Sequence, residues 1–291
     1  MKFEKWQALG NDYIVIEAEE FGMELTPGRV QAICAPHFGV HSDGILLLER
    51  PAEEERFVAS LRIFNPDGSE AELSGNGVRE AVLYLRRSGW TDADTFSIST
   101  VAGEITPTLT GPSSARVAMG RAATSSKDFP GGPDGGRGRF DVGGIQREFQ
   151  HVSIGNPQCA IEVEDGLEHL DLPAIGPWIE AGADGRFPNR TNVSFWRVED
   201  REAGVVRARI FERGVGETLS SGTGASGAAI AAFLRGLPSP IRVRLDGGEL
   251  EVAISDELDV ELTGTAEPVF SGAFSDELID RLGTIDEAAG V

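Results

Sequence analysis

The feature that most constrains the fold of this chain is a repeat within its own sequence. Arg62-Ile63-Phe64 is followed, ten residues after the phenylalanine, by Ser74-Gly75-Asn76-Gly77. Arg209-Ile210-Phe211 is followed at the same distance by Ser221-Gly222-Thr223-Gly224. A glutamate lies six residues after each phenylalanine, and the shift of 147 residues holds throughout this stretch. A period this long is far beyond that of a solenoid repeat and indicates two copies of one domain.

Further matched pairs extend the duplication toward both ends of each copy. Gly10-Asn11 corresponds to Gly155-Asn156, and Gly103-Glu104 corresponds to Gly248-Glu249, at nearly the same shift. Between the copies the chain is rich in Gly, Ser, Pro and Asp, which is the composition of loops and turns. We therefore predict four segments: an N-terminal copy at 1–120, a linker at 121–144, a C-terminal copy at 145–264, and a tail at 265–291 that returns to the first copy.

Each copy combines short strands with two helices. One helix per copy, Gly77–Arg87 and Gly224–Leu234, is apolar at nearly every position, which is typical of a helix buried on all sides. A second, amphipathic helix is predicted over Gly28–Ala35 and over Leu172–Ala181. The predicted fold class is α+β, with two pseudo-symmetric copies of one domain, each a mixed β-sheet or barrel wrapped around a central buried helix. Apolar or alternating runs bounded by turn residues predict strands at Tyr13–Glu17, Ile45–Glu49, Leu61–Phe64 and Phe96–Ser99.

Composition argues against several classes of function. Asp and Glu number 47 against 26 Lys and Arg, a net charge of −21, whereas nucleic acids and anionic membranes require a basic surface. Cys34 and Cys159 are the two cysteines, so neither a disulfide framework nor a zinc finger is predicted. No apolar run reaches the roughly eighteen residues of a membrane span, and no secretory signal follows Met1. We expect a cytoplasmic protein without a nucleic-acid, membrane or metal partner.

The chemistry of the chain is predicted at the two buried helix starts. Each Ser-Gly-x-Gly lies between an extended segment and a buried helix. Glycine there lets the backbone approach a ligand, and the first-turn N–H groups are unpaired donors. Such a helix end favours a carboxylate or a phosphate. The same glycines also suit a tight strand–helix turn without a ligand, but their duplication in register favours a ligand site where the two copies meet.

Polar loops just before each helix extend this predicted site. The loops Phe64-Asn65-Pro66-Asp67-Gly68 and Phe211-Glu212-Arg213-Gly214 supply amide, carboxylate and guanidinium groups, and Asn11 and Asn156 form a matched pair of amides. Each asparagine alone would equally well cap or turn the chain. Taken together, arginine suits a carboxylate, while glutamate and carbonyl groups suit an ammonium. The set therefore predicts a small zwitterionic amino acid as the ligand.

The same residues resemble those of a known family, the diaminopimelate epimerases, over nearly the whole chain. The resemblance implies two pseudo-symmetric domains that close on an amino acid and convert LL- to meso-diaminopimelate in lysine biosynthesis, without a cofactor or a metal. In that family one cysteine thiolate removes the Cα proton and a thiol on the opposite face delivers another. A homodimer is a further expectation. The motifs that carry the resemblance are Gly10-Asn11-Asp12, Phe64-Asn65-Pro66-Asp67-Gly68-Ser69-Glu70, Gly75-Asn76-Gly77, Gly155-Asn156-Pro157, Asn192 and Glu212-Arg213-Gly214-Val215-Gly216-Glu217-Thr218.

By motif position, the resemblance assigns a role to each site residue. Ser74 and Ser221 stand where the family carries its two catalytic cysteines. Backbone groups of Gly75-Asn76 and Gly222-Thr223 are expected to hold the α-carboxylate. The side chains expected to bind the substrate are Asn11, Asn65, Asn156, Asn192, Glu212 and Arg213.

Three further positions depart from the family pattern. Gln158 replaces the histidine that usually follows Asn-Pro, and Ser226 replaces a cysteine near the second helix. The usual Arg-Cys after the first motif is Arg79-Glu80. Changes at this many positions favour natural divergence over two engineered serines.

The two serines cannot act as the family's thiols do. The pKa of a thiol falls to about 3.5–7.5 at a helix N-terminus, whereas an alcohol starts many units higher. A serine becomes a base only when a neighbouring group takes its proton. The candidates for such a helper are Glu70, Glu212, Glu217 and His41, and Glu212 is the predicted one.

Three interpretations of the sequence stay open at this point. The chain is an amino-acid epimerase, or an isomerase of a different carboxylate substrate, in which the serines work with a helper base. It is alternatively a catalytically impaired binding protein that retains the zwitterion site. The third, an interaction protein on the same scaffold, is the one that the retained motifs support least.

Overall fold

The computed structural model describes the chain in three ranges, 1–52, 56–142 and 145–285. The predictions for residues 143–144 of the linker and 286–291 of the tail therefore lie outside the described residues. Within these ranges no helix has the length and apolar character to cross a bilayer.

Strands make up most of the regular structure. In chain order they are β1 (Lys2–Ala8), β2 (Asn11–Glu17), β3 (Ile45–Glu49), β4 (Ala59–Phe64), β5 (Glu70–Ala71), β6 (Ile98–Thr100), β7 (Gly103–Ile105), β8 (Thr108–Gly111), β9 (Ser114–Arg121), β10 (Arg137–Val142), β11 (Ile145–Ser153), β12 (Pro157–Glu162), β13 (Asn192–Asp200), β14 (Val205–Glu212), β15 (Gly216–Thr218), β16 (Ile241–Leu245), β17 (Gly248–Ile254), β18 (Asp259–Thr265) and β19 (Glu267–Ala273).

Helices are fewer, and the two central ones begin slightly earlier than predicted. Both start two residues before the predicted glycine because Ser74 and Ser221 act as their N-caps. A 3-10 turn at Leu167–His169 precedes the fourth helix. The helices are α1 (Ala18–Phe21), α2 (Pro27–Cys34), α3 (Gly75–Arg87), α4 (Leu172–Glu180), α5 (Gly222–Phe233) and α6 (Asp276–Thr284).

Two compact units have the same strand order, which confirms the α+β class and the duplication. Unit 1 comprises Met1–Val117 and the segment from Thr265 onward, and unit 2 comprises Ala118–Gly264. The order in unit 1 is β19-β1-β2-β3-β4-β6-β7, with β5 paired to β4. The order in unit 2 is β10-β11-β12-β13-β14-β16-β17, with β15 paired to β14, and β18 and the second half of β9 follow. Each strand of the first series thus has a counterpart in the second.

The first strand of this order has a different origin in each unit. In unit 1 it is β19, which comes from the C-terminal segment and pairs antiparallel with β1. In unit 2 it is β10, which directly precedes β11 and pairs antiparallel with it. The strand β10 lies within residues 121–144, where the glycine-rich composition predicts a linker. This part of the chain contributes a strand to unit 2.

Alternation along the strands decides which side chains face the central helices. On β2, Tyr13 and Val15 belong to the core around α3, whereas Ile14 and Ile16 pack with α1, α2 and α6 on the other face. Successive side chains of a strand point to opposite faces, so every second residue reaches the same layer. The same alternation on β12 directs Gln158 toward α5.

The helix α5 is enclosed because its side chains are small. It consists mainly of glycine and alanine, and it contacts β11 to β14 as well as β16 and β17. Small side chains let strands approach the helix from several sides. In contrast, α3 carries larger side chains, including two buried charged residues, Arg79 and Glu80, where α5 has Ser226 and Gly227.

Substitution of Gly227 by alanine tests this close packing. A Cβ at residue 227 would lie 2.9 Å from the Cβ of Gln158, whereas a Cβ at Gly283 in α6 would meet nothing within 4 Å. We expect Gly227→Ala to lower the free energy of unfolding by about 1–3 kcal/mol because the core is overpacked. Gly283→Ala should raise it by about 0.5–1 kcal/mol, since alanine favours the helix. Urea denaturation measures both; equal effects of the two substitutions would contradict the packing described for α5.

Candidate active site

In unit 2 the candidate site lies at the N-terminus of α5. Ser221 is the N-cap, and its Oγ accepts a hydrogen bond from the Gly224 N–H at 3.2 Å. The same hydroxyl donates to Oε2 of Glu212 at 2.7 Å. The other carboxyl oxygen of Glu212 accepts from the Thr218 hydroxyl at 2.7 Å. Glu212 reaches this position because it ends β14 on the same face as Ile210, whose side chain lies against Gly224.

The bond between Ser221 and Glu212 gives the serine a proton acceptor. A nucleophile or base of this kind needs a second group within about 2.6–3.2 Å that can take its proton. The Ser221 side chain is almost withdrawn from solvent, at 4% exposure. Hydrogen bonds from a hydroxyl to a carboxylate are stronger than those between neutral groups. Ser221 is therefore a hydroxyl whose proton already points at a base.

The two matched glutamates of the repeat are held by arginines. Glu70 accepts from Arg62 at 2.8 and 3.0 Å, and this bond lowers the pKa of Glu70. Glu217 accepts from Arg209 at 3.0 and 2.6 Å. Among the residues that the structure describes, neither glutamate bonds to either candidate serine, and the same is true of His41. Of the four helpers considered from the sequence, Glu212 has the geometry for the role.

In unit 1 the equivalent site lies at the N-terminus of α3. Ser74 is the N-cap, and its Oγ accepts from the Gly77 N–H at 3.1 Å. A second donor to the same oxygen is the phenol of Tyr13, at 3.3 Å. Asn65 stands where unit 2 has its carboxylate, but its Nδ2 donates to Ser69 Oγ at 2.9 Å within its own turn. The side-chain partner of Ser74 is thus a phenol.

A series of hydrogen bonds fixes the predicted amide side chains of unit 1. The Asn76 amide donates to Asn11 Oδ1 at 3.0 Å, and the Asn11 amide donates to Asp43 Oδ2 at 2.8 Å. Arg79 holds the other end, because it donates to Asn76 Oδ1 at 2.7 Å and to the Gly75 carbonyl at 3.1 Å. Burial lowers the pKa of Arg79 to about 10, so the guanidinium stays charged at neutral pH. The structure therefore brings Asn11 and Asn76 together beside the start of α3.

Ser226 and Arg79 occupy equivalent places on the two central helices. Ser226 donates to the Gly222 carbonyl at 2.8 Å, as Arg79 does to the corresponding carbonyl in α3. Glu80 is buried beside Arg79, and burial raises its pKa well above the ordinary range although the guanidinium opposes the shift. Among the described residues, neither carboxyl oxygen of Glu80 has a well-aligned hydrogen-bond partner, and the Tyr13 backbone nearby opposes the rise in pKa without outweighing burial.

Two amides at the start of β12, Asn156 just before the strand and Gln158 within it, lie beside the start of α5. The Asn156 amide donates to Thr223 Oγ1 at 3.4 Å, a long contact. Gln158, which replaces the family histidine, donates to Asn156 Oδ1 at 2.5 Å. The glutamine therefore orients a predicted substrate-binding amide, and it is not bonded to Ser221 in the part of the chain that the structure describes.

The loop after β14 is tied to β13 through Asn192. Its Oδ1 accepts from the Arg213 N–H at 2.9 Å, and its Nδ2 donates to the Pro157 carbonyl at 3.2 Å. The exposed Arg213 side chain donates to the Asn189 carbonyl at 3.0 Å. Asn192 is thus a buried brace for the loop that carries Arg213 and Glu212.

Tyr13 is the site residue that the sequence analysis does not identify. The signal for it is present, since Tyr13 lies two residues after Asn11 and therefore on the same face of β2. Its contact with Ser74 depends on the space that Gly44 leaves for the ring, which the sequence motifs do not show.

Neither cysteine replaces the family's thiols. Cys34 and Cys159 are buried away from both helix starts, and burial raises the pKa of each thiol. Within the described ranges, no group of three or more His, Cys, Asp and Glu side chains is placed to hold a metal ion. Any acid–base chemistry at these helix starts is left to oxygen and nitrogen groups.

Comparison with known proteins gives matches over both units. The family model described as diaminopimelate epimerase matches residues 3–125 and 150–269. A Nostoc sp. protein named diaminopimelate epimerase 2 is 38% identical, over 96% of this chain and 97% of its own length. A diaminopimelate epimerase of Azoarcus sp. is 40% identical, over 94% of this chain and 98% of its own length.

Solved structures with the same fold are more distant in sequence. A probable proline racemase from Agrobacterium radiobacter, solved with bound carbonate, has a TM-score of 0.67 at 15% identity, over 94% of this chain and 93% of its own. A hydroxyproline epimerase from Agrobacterium vitis, solved with trans-4-hydroxy-L-proline, has a TM-score of 0.65 at 16% identity, over 96% and 93%. These show the fold, while the sequence relatives show the family. The chain belongs to the diaminopimelate epimerase family.

Proposed function

We propose that this chain is a cofactor-independent epimerase that converts LL- to meso-diaminopimelate, with Ser74 and Ser221 in place of the two cysteines. The observation that carries the proposal is the 2.7 Å hydrogen bond from Ser221 Oγ to Glu212. It supplies what a serine lacks, which is a carboxylate that takes the hydroxyl proton. The substrate follows from the relatives, which are named for it over nearly their full length.

In the proposed reaction, Ser221 and Glu212 act together as the base. As Ser221 Oγ takes the proton from Cα, its own proton passes to Glu212, and the carbon is left as a carbanion. No free alkoxide is formed, because the two transfers are coupled. The first-turn N–H groups of Gly222 and Thr223 are donors of the kind that stabilises a carboxylate and the charge that develops next to it.

The remaining polar groups suit a zwitterion. Arg213 presents an exposed guanidinium, whose fork matches a carboxylate. Asn192 and Asn156 are amides with fixed orientation, so they can accept from an ammonium or donate to a carboxylate. We infer that these three residues bind the substrate and that Ser221 with Glu212 removes the proton.

One observation favours a second candidate function. In unit 1 Asn65 replaces the carboxylate, so Ser74 has no carboxylate partner among the described residues. A chain with one competent half-site would bind the amino acid without inverting it. This candidate is a binding protein, or an enzyme that exchanges the Cα proton without epimerisation.

Deuterium exchange separates these candidates. LL-Diaminopimelate incubated with the full chain in D2O should acquire deuterium at Cα and yield the meso isomer, as followed by proton NMR and chiral chromatography. Prior treatment with iodoacetamide should not change the rate, because both cysteines are buried and their pKa values are raised. Binding by calorimetry with neither deuterium nor meso isomer would reject the epimerase and support the binding protein.

Glu212→Gln tests the helper base. The amide keeps the size of the side chain but cannot take a proton, so the exchange rate should fall about 10²–10⁴-fold. Glu217→Gln is the matched control, since Glu217 lies in the same hairpin but pairs with Arg209. The control should stay close to the wild-type rate. Similar losses in the two variants would show that the hairpin, and not the carboxylate of Glu212, matters.

A further inference from the structure

The two serines have opposite hydrogen-bonding arrangements. A hydroxyl has one proton and two acceptor positions. At Ser221 the proton goes to Glu212 and one acceptor position is filled by the Gly224 N–H. One acceptor position is left for a ligand, so Ser221 is arranged to receive a proton.

At Ser74 both acceptor positions are filled. The Gly77 N–H occupies one at 3.1 Å, and the Tyr13 phenol occupies the other at 3.3 Å. The group that Ser74 can then offer to a ligand is its own proton. The phenol is the donor of this pair because it is a stronger acid than an aliphatic alcohol. The contact is long for a hydroxyl pair, and it would shorten as negative charge develops on Ser74 Oγ.

Tyr13 reaches Ser74 because the residue just before β3 is Gly44. A Cβ at Gly44 would lie 2.7 Å from the Tyr13 ring and 2.3 Å from the Phe64 carbonyl oxygen. The backbone at residue 44 has a φ of +158°. Because glycine has no Cβ, it leaves room for the Tyr13 ring at this position. Tyr13 itself is buried at 6% exposure and faces the core around α3.

No such pair exists at the corresponding positions of unit 2. The counterpart of Tyr13, at the shift of Gly10-Asn11 to Gly155-Asn156, is Gln158. The place of Gly44 is taken by Asn192, the first residue of β13, which pairs with Gln158. Gln158 donates to Asn156 and not to the serine. At these corresponding positions, the phenol partner of the serine therefore occurs in unit 1, and the carboxylate partner occurs in unit 2.

We propose that Tyr13 is a positioning residue that makes Ser74 the proton donor of the reaction, while Ser221 with Glu212 is the acceptor. The inference rests on the proposed epimerase function and deepens it. As the carbanion takes the Ser74 proton to form the new Cα–H bond, the Tyr13 proton passes to Ser74 Oγ and leaves a tyrosinate. Ser221 Oγ then holds the proton taken from the substrate, and Glu212 holds the proton that Ser221 gave up. The reverse reaction returns the same protons, and exchange with water restores the starting state.

Tyr13→Phe removes only the phenol oxygen and tests this role in the full chain. We expect kcat for epimerisation to fall about 10²-fold with KM nearly unchanged. The control is Tyr84→Phe, the other tyrosine of the chain, whose phenol donates to Glu17 at 2.6 Å. It should keep the wild-type kcat and KM.

A cysteine at position 74 separates a proton role from a structural one. A thiol is acidic enough to deliver its own proton, so Tyr13→Phe should have little effect in a Ser74→Cys background. A loss of the same size in both backgrounds would overturn the proposal. An unchanged kcat in Tyr13→Phe would also overturn it, while the epimerase function itself would stand. Absence of exchange in the wild-type chain would overturn the epimerase function, and this inference with it.

Discussion

The hydroxyl of a serine at the N-cap of a buried helix has two ways to bond to the rest of the protein. It donates its proton to an acceptor, or it accepts a second hydrogen bond from a donor. The helix takes one acceptor position through the N–H of its third residue, as Gly77 and Gly224 show. The remaining proton and acceptor position are then divided between the protein and a ligand. Whichever group the protein engages decides whether the serine gives or receives a proton. In this chain a carboxylate takes the proton of Ser221, while a phenol fills the acceptor position of Ser74.

The duplicated fold brings these groups to the helix starts. In each unit, every second side chain of the surrounding strands faces the central helix. This alternation places Tyr13 near α3 and Glu212 near α5. The two copies have therefore kept the positions and changed the chemistry at them. A cysteine is both an acidic proton donor and, as the thiolate, a good base. A serine hydroxyl needs a neighbouring group for either role, and the two serines have different neighbours, a phenol and a carboxylate.

Much of this could be predicted from the sequence because duplication is visible without structure. The shift between the two Ser-Gly-x-Gly motifs predicts the two central helices and the class of fold. The motif around Glu212 makes this residue a candidate helper base, and that role stays a prediction. Strand β10 was not predicted because the glycine-rich run at 130–136 dominates the composition of its segment, although Phe140 and Val142 alternate with polar residues and the strand pairs with β11, the next strand along the chain. The contact of Tyr13 with Ser74 could not be predicted because it depends on the space left at Gly44, which composition does not reveal.

The central claim, that the two serines have opposite roles, is tested most directly by removing each hydroxyl in turn. Cα deuterium exchange of each epimer of diaminopimelate is measured in D2O for Ser74→Ala and Ser221→Ala. Ser74→Ala should still exchange the Cα proton of one epimer without inverting it, because Ser221 and Glu212 remain. Ser221→Ala should lose both exchange and inversion. Equal exchange in the two variants, or exchange that survives only in Ser221→Ala, would contradict this account.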